Sequence, residues 1–83
     1  MDKVLVEIFL PAANKTFDVF LPRESKMSDI TVMVSQALSS LSQDKYKYDE
    51  SSVLCDAVSG NIYNINLSVY ELGIKNGDRL MLI

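Results

Sequence analysis

Two runs near the start of the chain have a regular pattern of apolar side chains. Residues 4–10 and 16–21 each place an apolar side chain at every second position. This period of two is typical of β-strands with one buried face. Residues 11–15 separate the two runs and contain a proline and an asparagine, which favour turns. The pattern predicts an antiparallel hairpin that ends at Pro22, because proline cannot donate a hydrogen bond to a sheet.

The period of the pattern changes after the hairpin. From Ile30 to Leu41, apolar residues recur at spacings of three and four, which is the pattern of an amphipathic helix. We expect this helix over residues 29–40, with Ser28 as its N-cap. One stripe of the helix must then be covered by another apolar surface.

The rest of the chain is divided into shorter segments. Residues 42–52 are largely polar and predict a loop. Residues 67–72 predict a helical turn that ends at Gly73 in a left-handed conformation. Short strands are predicted at residues 53–55, 62–65 and 79–83.

This order of elements predicts one two-layer α+β domain over residues 1–83, because the hairpin and the helix each leave an apolar face that the other can cover. The in-phase apolar positions are expected to be buried between sheet and helix. They are Val4, Val6, Ile8, Phe17, Val19, Leu21, Ile30, Val34, Leu38, Val53, Leu67, Leu72, Leu80 and Leu82.

The composition excludes several classes of function. Eight Lys and Arg against eleven Asp and Glu give a net charge of −3, without the basic stripe that nucleic-acid binding requires. The chain has no His, one Cys and three Gly, so neither the common zinc sites nor a glycine-rich phosphate loop can be formed. We therefore expect a protein that is not an enzyme, binds no nucleic acid and holds no cofactor or metal.

Two features allow both a functional and a structural interpretation. Cys55 could be a nucleophile, but no His is present to activate it, and a small buried core residue is the favoured interpretation. Lys and Tyr alternate over residues 45–48, as on a surface that stacks nucleic-acid bases. Acidic residues on both sides of this segment cancel its positive charge, which favours a solvated loop.

The chain also lacks features that would direct it to a membrane. No apolar run approaches the roughly 20 residues that span a bilayer, and the first residues do not form a signal peptide. A single cysteine weakly indicates a reducing compartment. We expect a cytoplasmic location without membrane insertion.

The last part of the chain resembles a known family. Residues 67–83 contain a Leu-Ser-x-Tyr segment followed by Gly-Ile-x-x-Gly-Asp-x-Leu, and this run looks like the ending of many ubiquitin-like domains. The resemblance implies the ubiquitin-like β-grasp fold, with a mixed sheet of four to five strands packed on one helix. It also implies a structural role for Tyr70, whose hydroxyl would hold a loop backbone.

The ending at Ile83, without a Gly-Gly tail, narrows the resemblance further. A free-standing domain of this size is similar to the YukD/EsaB family, small cytoplasmic proteins of Gram-positive bacteria associated with type VII (WXG100/ESX) secretion. That family implies a non-catalytic accessory or regulatory component, with membrane or ATPase components of the apparatus as partners and recruitment to the inner face of the membrane. The alternatives are a ubiquitin-like domain of another system, or a covalent modifier or sulfur carrier whose Gly-Gly tail is missing.

Strand alternation also predicts a protein-binding face. If Val53 and Cys55 point inward, Leu54 turns outward, and the same rule turns out every second residue of the first and last strands. The side chains expected to share this open face are Phe9, Leu54, Met81 and Ile83. An exposed apolar cluster on a sheet is typical of a partner site. The alternative is that the loop over residues 42–52 covers the face.

Overall fold

The computed structural model describes residues 2–42 and 52–83. Along the chain the elements are β1 (Lys3–Leu10), β2 (Lys15–Pro22), α1 (Met27–Leu41), β3 (Leu54–Asp56) and β4 (Arg79–Leu82). These strands form one sheet in the order β2-β1-β4-β3. β1 is antiparallel to β2 and parallel to β4, while β3 is antiparallel to β4. The predicted α+β architecture, a mixed sheet with one helix, is confirmed.

In the β1–β2 hairpin, the side chains that the alternation predicts to face the core do face it. Val6 pairs with Val19 and Ile8 pairs with Phe17 across the two strands. Val6 and Ile8 are fully buried, and their partners pack against the same core. The connecting turn has Asn14 in the left-handed region at φ 51°, which asparagine tolerates better than most residues.

Helix α1 begins two residues earlier than predicted, and Ser28 is not its N-cap. The cap residue is Lys26, whose side chain makes no capping hydrogen bond. The N–H of Met27 donates to the Leu67 carbonyl at 2.9 Å, and the N–H of Ser28 donates to the Ile65 carbonyl at 3.0 Å. Because a distant backbone segment accepts these hydrogen bonds, the helix start does not require a capping side chain.

The second short strand, predicted at residues 62–65, is reduced to a single bridge between Ile62 and Cys55. Beside it, the Asp56 N–H donates to the Asn61 carbonyl at 2.9 Å, so this segment follows the free edge of β3. Strand pairing with β3 does not extend further because Asn64 forms a local turn, in which its Oδ1 accepts the Asn66 N–H at 2.9 Å.

The core lies between the sheet and α1. The predicted core positions that are buried are Val4, Val6, Ile8, Leu21, Ile30, Val34, Leu38, Leu80 and Leu82. Those packed against the core but only partly buried are Phe17, Val19 and Leu72. Val53 and Leu67 are half-buried. The core also contains residues absent from that prediction, namely Leu10, Met27, Leu54, Val69 and Ile74.

The segment before β4 is held by local hydrogen bonds. Ser68 and Glu71 form a reciprocal pair, in which each side-chain oxygen accepts the backbone N–H of the other residue, at 2.9 and 3.1 Å. Gly73 follows at φ +73°, the left-handed conformation that was predicted for it. The chain then returns to the core at Ile74, whose N–H donates to the Val69 carbonyl at 3.2 Å.

Candidate protein-binding face

The sheet face turned away from α1 carries an apolar cluster. Met81 on β4 pairs with Phe9 on β1 and with Cys55 on β3, so these residues form one row across three strands. Ile83 and Val53 exchange backbone hydrogen bonds of 3.0 and 2.8 Å, which extends the cluster by one further pair. We call Phe9, Val53, Met81 and Ile83 the outer patch. Ile83 is 53% exposed, and the other three side chains are half-buried.

Leu54 does not belong to this face, and its predicted place in the binding site is wrong. Its side chain is only 2% exposed and packs in the core, and its cross-strand partner is Leu82. The prediction turned Leu54 outward by assuming that Val53 and Cys55 face the core. A strand whose consecutive residues are all apolar has no alternation to orient it, so only its pairing with β4 decides which side faces the helix. Val53 occupies the place expected for Leu54.

The other predicted site residues, Phe9, Met81 and Ile83, are brought together by the register of the strands. Their role in binding a protein stays a prediction. The predicted loop over residues 42–52 lies mostly outside the described residues. Whether it covers the outer patch therefore also stays a prediction.

Cys55 lies beneath the outer patch as a buried thiol. It is free, 1% exposed, and its Sγ contacts the Met81 carbonyl at 3.6 Å. Burial, and secondarily the charge of Asp56, raises the pKa of this thiol. A raised pKa lowers the thiolate fraction and therefore the reactivity, which agrees with the predicted structural role.

Charged residues border the outer patch along the middle of the sheet. Arg79 Nε lies 3.2 Å from Glu7 Oε2, and both side chains are well exposed. Glu7 also stands directly opposite Asp18 of β2 in the hairpin register. Two carboxylates and one guanidinium therefore separate the outer patch from the Leu5–Phe20 end of the sheet.

Tyr70 contacts the segment at Arg23, while the hydroxyl role that the resemblance implied stays a prediction. Its N–H donates to the Arg23 carbonyl at 2.9 Å, while its exposed ring lies 5.2 Å from the Arg23 guanidinium carbon. The contact to the neighbouring segment is thus made by the Tyr70 backbone together with a cation–π pair.

A second apolar concavity was not anticipated from the sequence. It lies beside the first turns of α1, with Val32, Ile62 and Ile65 exposed around it and Leu54 among its lining residues. In the sequence, Val32 lies out of phase with the core stripe of α1, and Ile62 and Ile65 lie in a turn-rich segment. This is the only sequence signal for the concavity.

The described residues show no arrangement that would hold a metal. Within residues 2–42 and 52–83, no three His, Cys, Asp or Glu side chains come close enough to form a metal-binding group. No helix among these residues combines the length and the apolar character needed to cross a membrane.

The comparisons with known proteins identify the fold. Neither a family model nor a curated protein matches the chain. Among solved structures, the EccD5 ubiquitin-like domain from Mycobacterium xenopi matches 100% of this chain and 94% of its own, with a TM-score of 0.85 and 20% identity. The chain has the ubiquitin-like β-grasp fold. The ubiquitin-like domain of the Mycobacterium tuberculosis type VII secretion protein ECCD1 also overlays the whole β-grasp chain, with a TM-score of 0.76 and 18% identity.

A larger assembly contains a similar domain. The MycP5-free ESX-5 inner membrane complex matches 100% of this chain with a TM-score of 0.84 and 19% identity, but this chain spans only 21% of the matched chain. Two of these three neighbours are named as ubiquitin-like domains, and one of the two is named as a domain of a type VII secretion system protein. Sequence identities this low establish the shared β-grasp fold, and a common function requires a separate argument.

Proposed function

We propose that this β-grasp protein is a non-catalytic protein-interaction module that serves as an accessory or regulatory component of a bacterial type VII secretion system. The observation that carries the proposal is the overlay of the whole chain on the EccD5 ubiquitin-like domain, with a TM-score of 0.85. The resemblance of the chain to the YukD/EsaB family supports the same assignment and a Gram-positive, WXG100-secreting host. No residue of the sequence suggests catalysis, since the chain has no His and its one thiol is buried.

The outer patch is the surface that we assign to the partner within this apparatus. Apolar side chains on the solvent side of a sheet are typical of protein-binding sites. A membrane or ATPase component that covers Met81 and Ile83 would hold the domain in the cytoplasm at the inner face of the membrane. Binding energy would come from burying apolar surface, with the Glu7–Arg79 pair at the border of the interface.

The proposal is tested by deleting the gene in its host and measuring secretion. We expect the amount of a WXG100 protein in the culture medium to fall on deletion and to return when the wild-type gene is supplied. A protein exported by the general secretion pathway serves as the control and should not change. Unchanged WXG100 secretion in the deletion strain, in a host whose apparatus is active, would contradict the proposed function.

The outer patch is tested in the same strain with charged substitutions. Met81→Asp and Ile83→Asp should fail to restore secretion while retaining a folded circular dichroism spectrum. Val58→Asp is the matched control, because Val58 is an exposed apolar residue outside the patch. Leu54→Asp is unsuitable because it would place a charge in the core. If both patch variants are folded and restore secretion fully, the interface lies elsewhere even if the deletion has an effect.

A further inference from the structure

The two edge strands of the sheet, β3 and β2, differ in how their outer backbone groups are paired. At the β3 edge, the Asp56 N–H donates to the Asn61 carbonyl and the Tyr63 N–H donates to the Leu54 carbonyl at 3.3 Å, so a chain segment runs along this edge. β2 forms the other edge and has eight residues. No described residue outside β1 pairs with the backbone of β2 between Lys15 and Leu21. An open edge strand is a ready template for another strand.

The hydrogen bonds of β1 show which β2 groups are open. The Leu5 N–H donates to Asn76 Oδ1 at 2.8 Å, and its carbonyl accepts the Gly77 N–H at 2.9 Å. The backbone of Leu5 therefore faces the β4 side, as does that of Glu7, whose N–H donates to the Asp78 carbonyl at 3.0 Å. Because backbone groups alternate sides along a strand, the even-numbered residues of β1 bond to β2.

This alternation leaves three residues of β2 with both backbone groups directed away from the sheet. Val6 pairs with Val19 and Ile8 pairs with Phe17, so those two β2 residues use their backbone groups in the hairpin. The β2 residues that alternate with these two have N–H and C=O groups that point away from β1 and are not used in the hairpin. They are Thr16, Asp18 and Phe20. Pro22 ends this open row because it has no N–H.

The side chains along the open edge specify what could pair with it. Phe20 is 58% exposed, and Leu5, its cross-strand partner, is 38% exposed, so one end of the edge is apolar. Asp18 at the centre stands opposite Glu7, and no described cation lies within 4.0 Å of its carboxylate. Like charges directly opposite each other on a sheet are destabilising, so a cation on an added strand beside Asp18 would relieve the repulsion.

The same carboxylate opposes pairing of two copies of this chain. A symmetric antiparallel pairing that engages all three open residues would place Thr16 opposite Phe20 and Asp18 opposite its own copy. Two carboxylates would then face each other at the symmetry axis. The charge pattern therefore favours a basic strand from a different protein.

We propose that β2 is a second docking site, separate from the outer patch, at which an extended segment of another protein adds a fifth strand and places a Lys or Arg opposite Asp18. The apolar residue two positions from this cation would lie over Phe20 and Leu5. The main-chain hydrogen bonds would come from Thr16, Asp18 and Phe20, and the side chains on either side of them would select the sequence.

The test uses two synthetic peptides and the ¹⁵N-labelled protein. The probe is acetyl-Thr-Val-Thr-Lys-Thr-Val-Thr-amide, in which valines flank the cation on one face in either strand direction. The control peptide has Glu in place of Lys. We expect the Lys peptide to shift the amide signals of Thr16, Asp18 and Phe20, to slow their hydrogen exchange, and to bind about fivefold more tightly than the Glu peptide.

Substitutions at Asp18 distinguish charge-selective binding at the β2 edge from nonspecific binding of the peptides. Asp18→Lys should reverse the preference so that the Glu peptide binds more tightly, and Asp18→Asn should nearly remove it. Val58→Lys introduces a cation at an exposed position away from β2 and should leave the preference unchanged. Circular dichroism checks that each variant is folded.

Four results of the peptide experiments would overturn the proposal. They are absence of binding at millimolar peptide, signal shifts confined to other strands, equal affinity for both peptides, and an Asp18→Lys variant with the wild-type preference. A concentration-dependent dimer that protects the same three amides without peptide would also overturn it, because the occupant would then be a second copy. None of these results bears on the secretion assay, so the two proposals fail independently.

Discussion

Tyr63 is the residue whose acid–base chemistry the fold changes most among those with a resolved shift. Its half-buried side chain packs against the core. Burial, and then the charges of Asp56, Asp78 and Cys55, raises the pKa of Tyr63 from 10.0 to about 12. The folded state therefore holds the phenol proton more tightly than the unfolded state does.

This shift predicts a loss of stability at high pH. The unfolded chain releases the Tyr63 proton near pH 10, and the folded protein retains it until about pH 12, so the contribution is present below about pH 10 and lost between those values. Urea unfolding at about pH 9 and about pH 11 should show a larger fall in the free energy of unfolding for the wild type than for Tyr63→Phe. Equal falls in the two proteins would mean that the phenol is not protected.

At the scale of the element, the segment before β4 depends on a short polar motif. Ser68 and Glu71 satisfy each other's backbone N–H groups, and Ser68 is buried. The spacing Ser-x-x-Glu is visible in the sequence and is the usual signature of this reciprocal cap. It precedes Gly73, which then directs the chain back to Ile74.

Removal of either side chain of this motif should destabilise the protein. Ser68→Ala and Glu71→Ala are each expected to lower the free energy of unfolding by about 1 kcal/mol, because each leaves a backbone N–H without its acceptor. The double variant should cost less than the sum, because the two side chains act on one turn. Ser40→Ala, at an exposed position of α1, is the control in the same urea titrations and should change stability little. Additive losses would indicate that the two residues act independently.

At the scale of the whole molecule, β4 joins the two halves of the sheet. It pairs with β1 on one side and with β3 on the other, although these strands are far apart in the sequence. Leu80 lies at the centre of this arrangement, between Ile8 and Asp56, and is fully buried. The cooperativity of the small core therefore depends on β4.

Truncation of Leu80 should cost a large part of the total stability. We expect Leu80→Ala to lower the free energy of unfolding by about 2–5 kcal/mol, against roughly 5–15 kcal/mol for a typical whole domain. Met81→Ala is the matched control, because Met81 is the next residue of the same strand but lies on the opposite face. A similar loss for both variants in denaturant titrations would show that the outer face contributes to the core as much as the inner face does.

Much of the candidate binding face followed from the alternation in β1 and β4. These two strands place Phe9, Met81 and Ile83 on one side, because β1 repeats the alternation over eight residues and a shift of one would expose Val6 and Ile8. β3 has only three residues, and its neighbours are apolar as well. The orientation of Leu54 was therefore open until its pairing with Leu82 was known.

The amino-acid sequence by itself determined the hairpin, the one helix, the inward faces of β1 and β2 and the turn at Gly73. These features depend on periods of two or four residues and on backbone conformations that local residue types favour. The tertiary structure alone decided the start of α1 at Met27, the inward side of Leu54 and the open edge at Asp18. Each of these depends on contacts between segments distant in the sequence: the Leu67 and Ile65 carbonyls beside the helix, β4 beside β3, and the position of β2 at the end of the sheet.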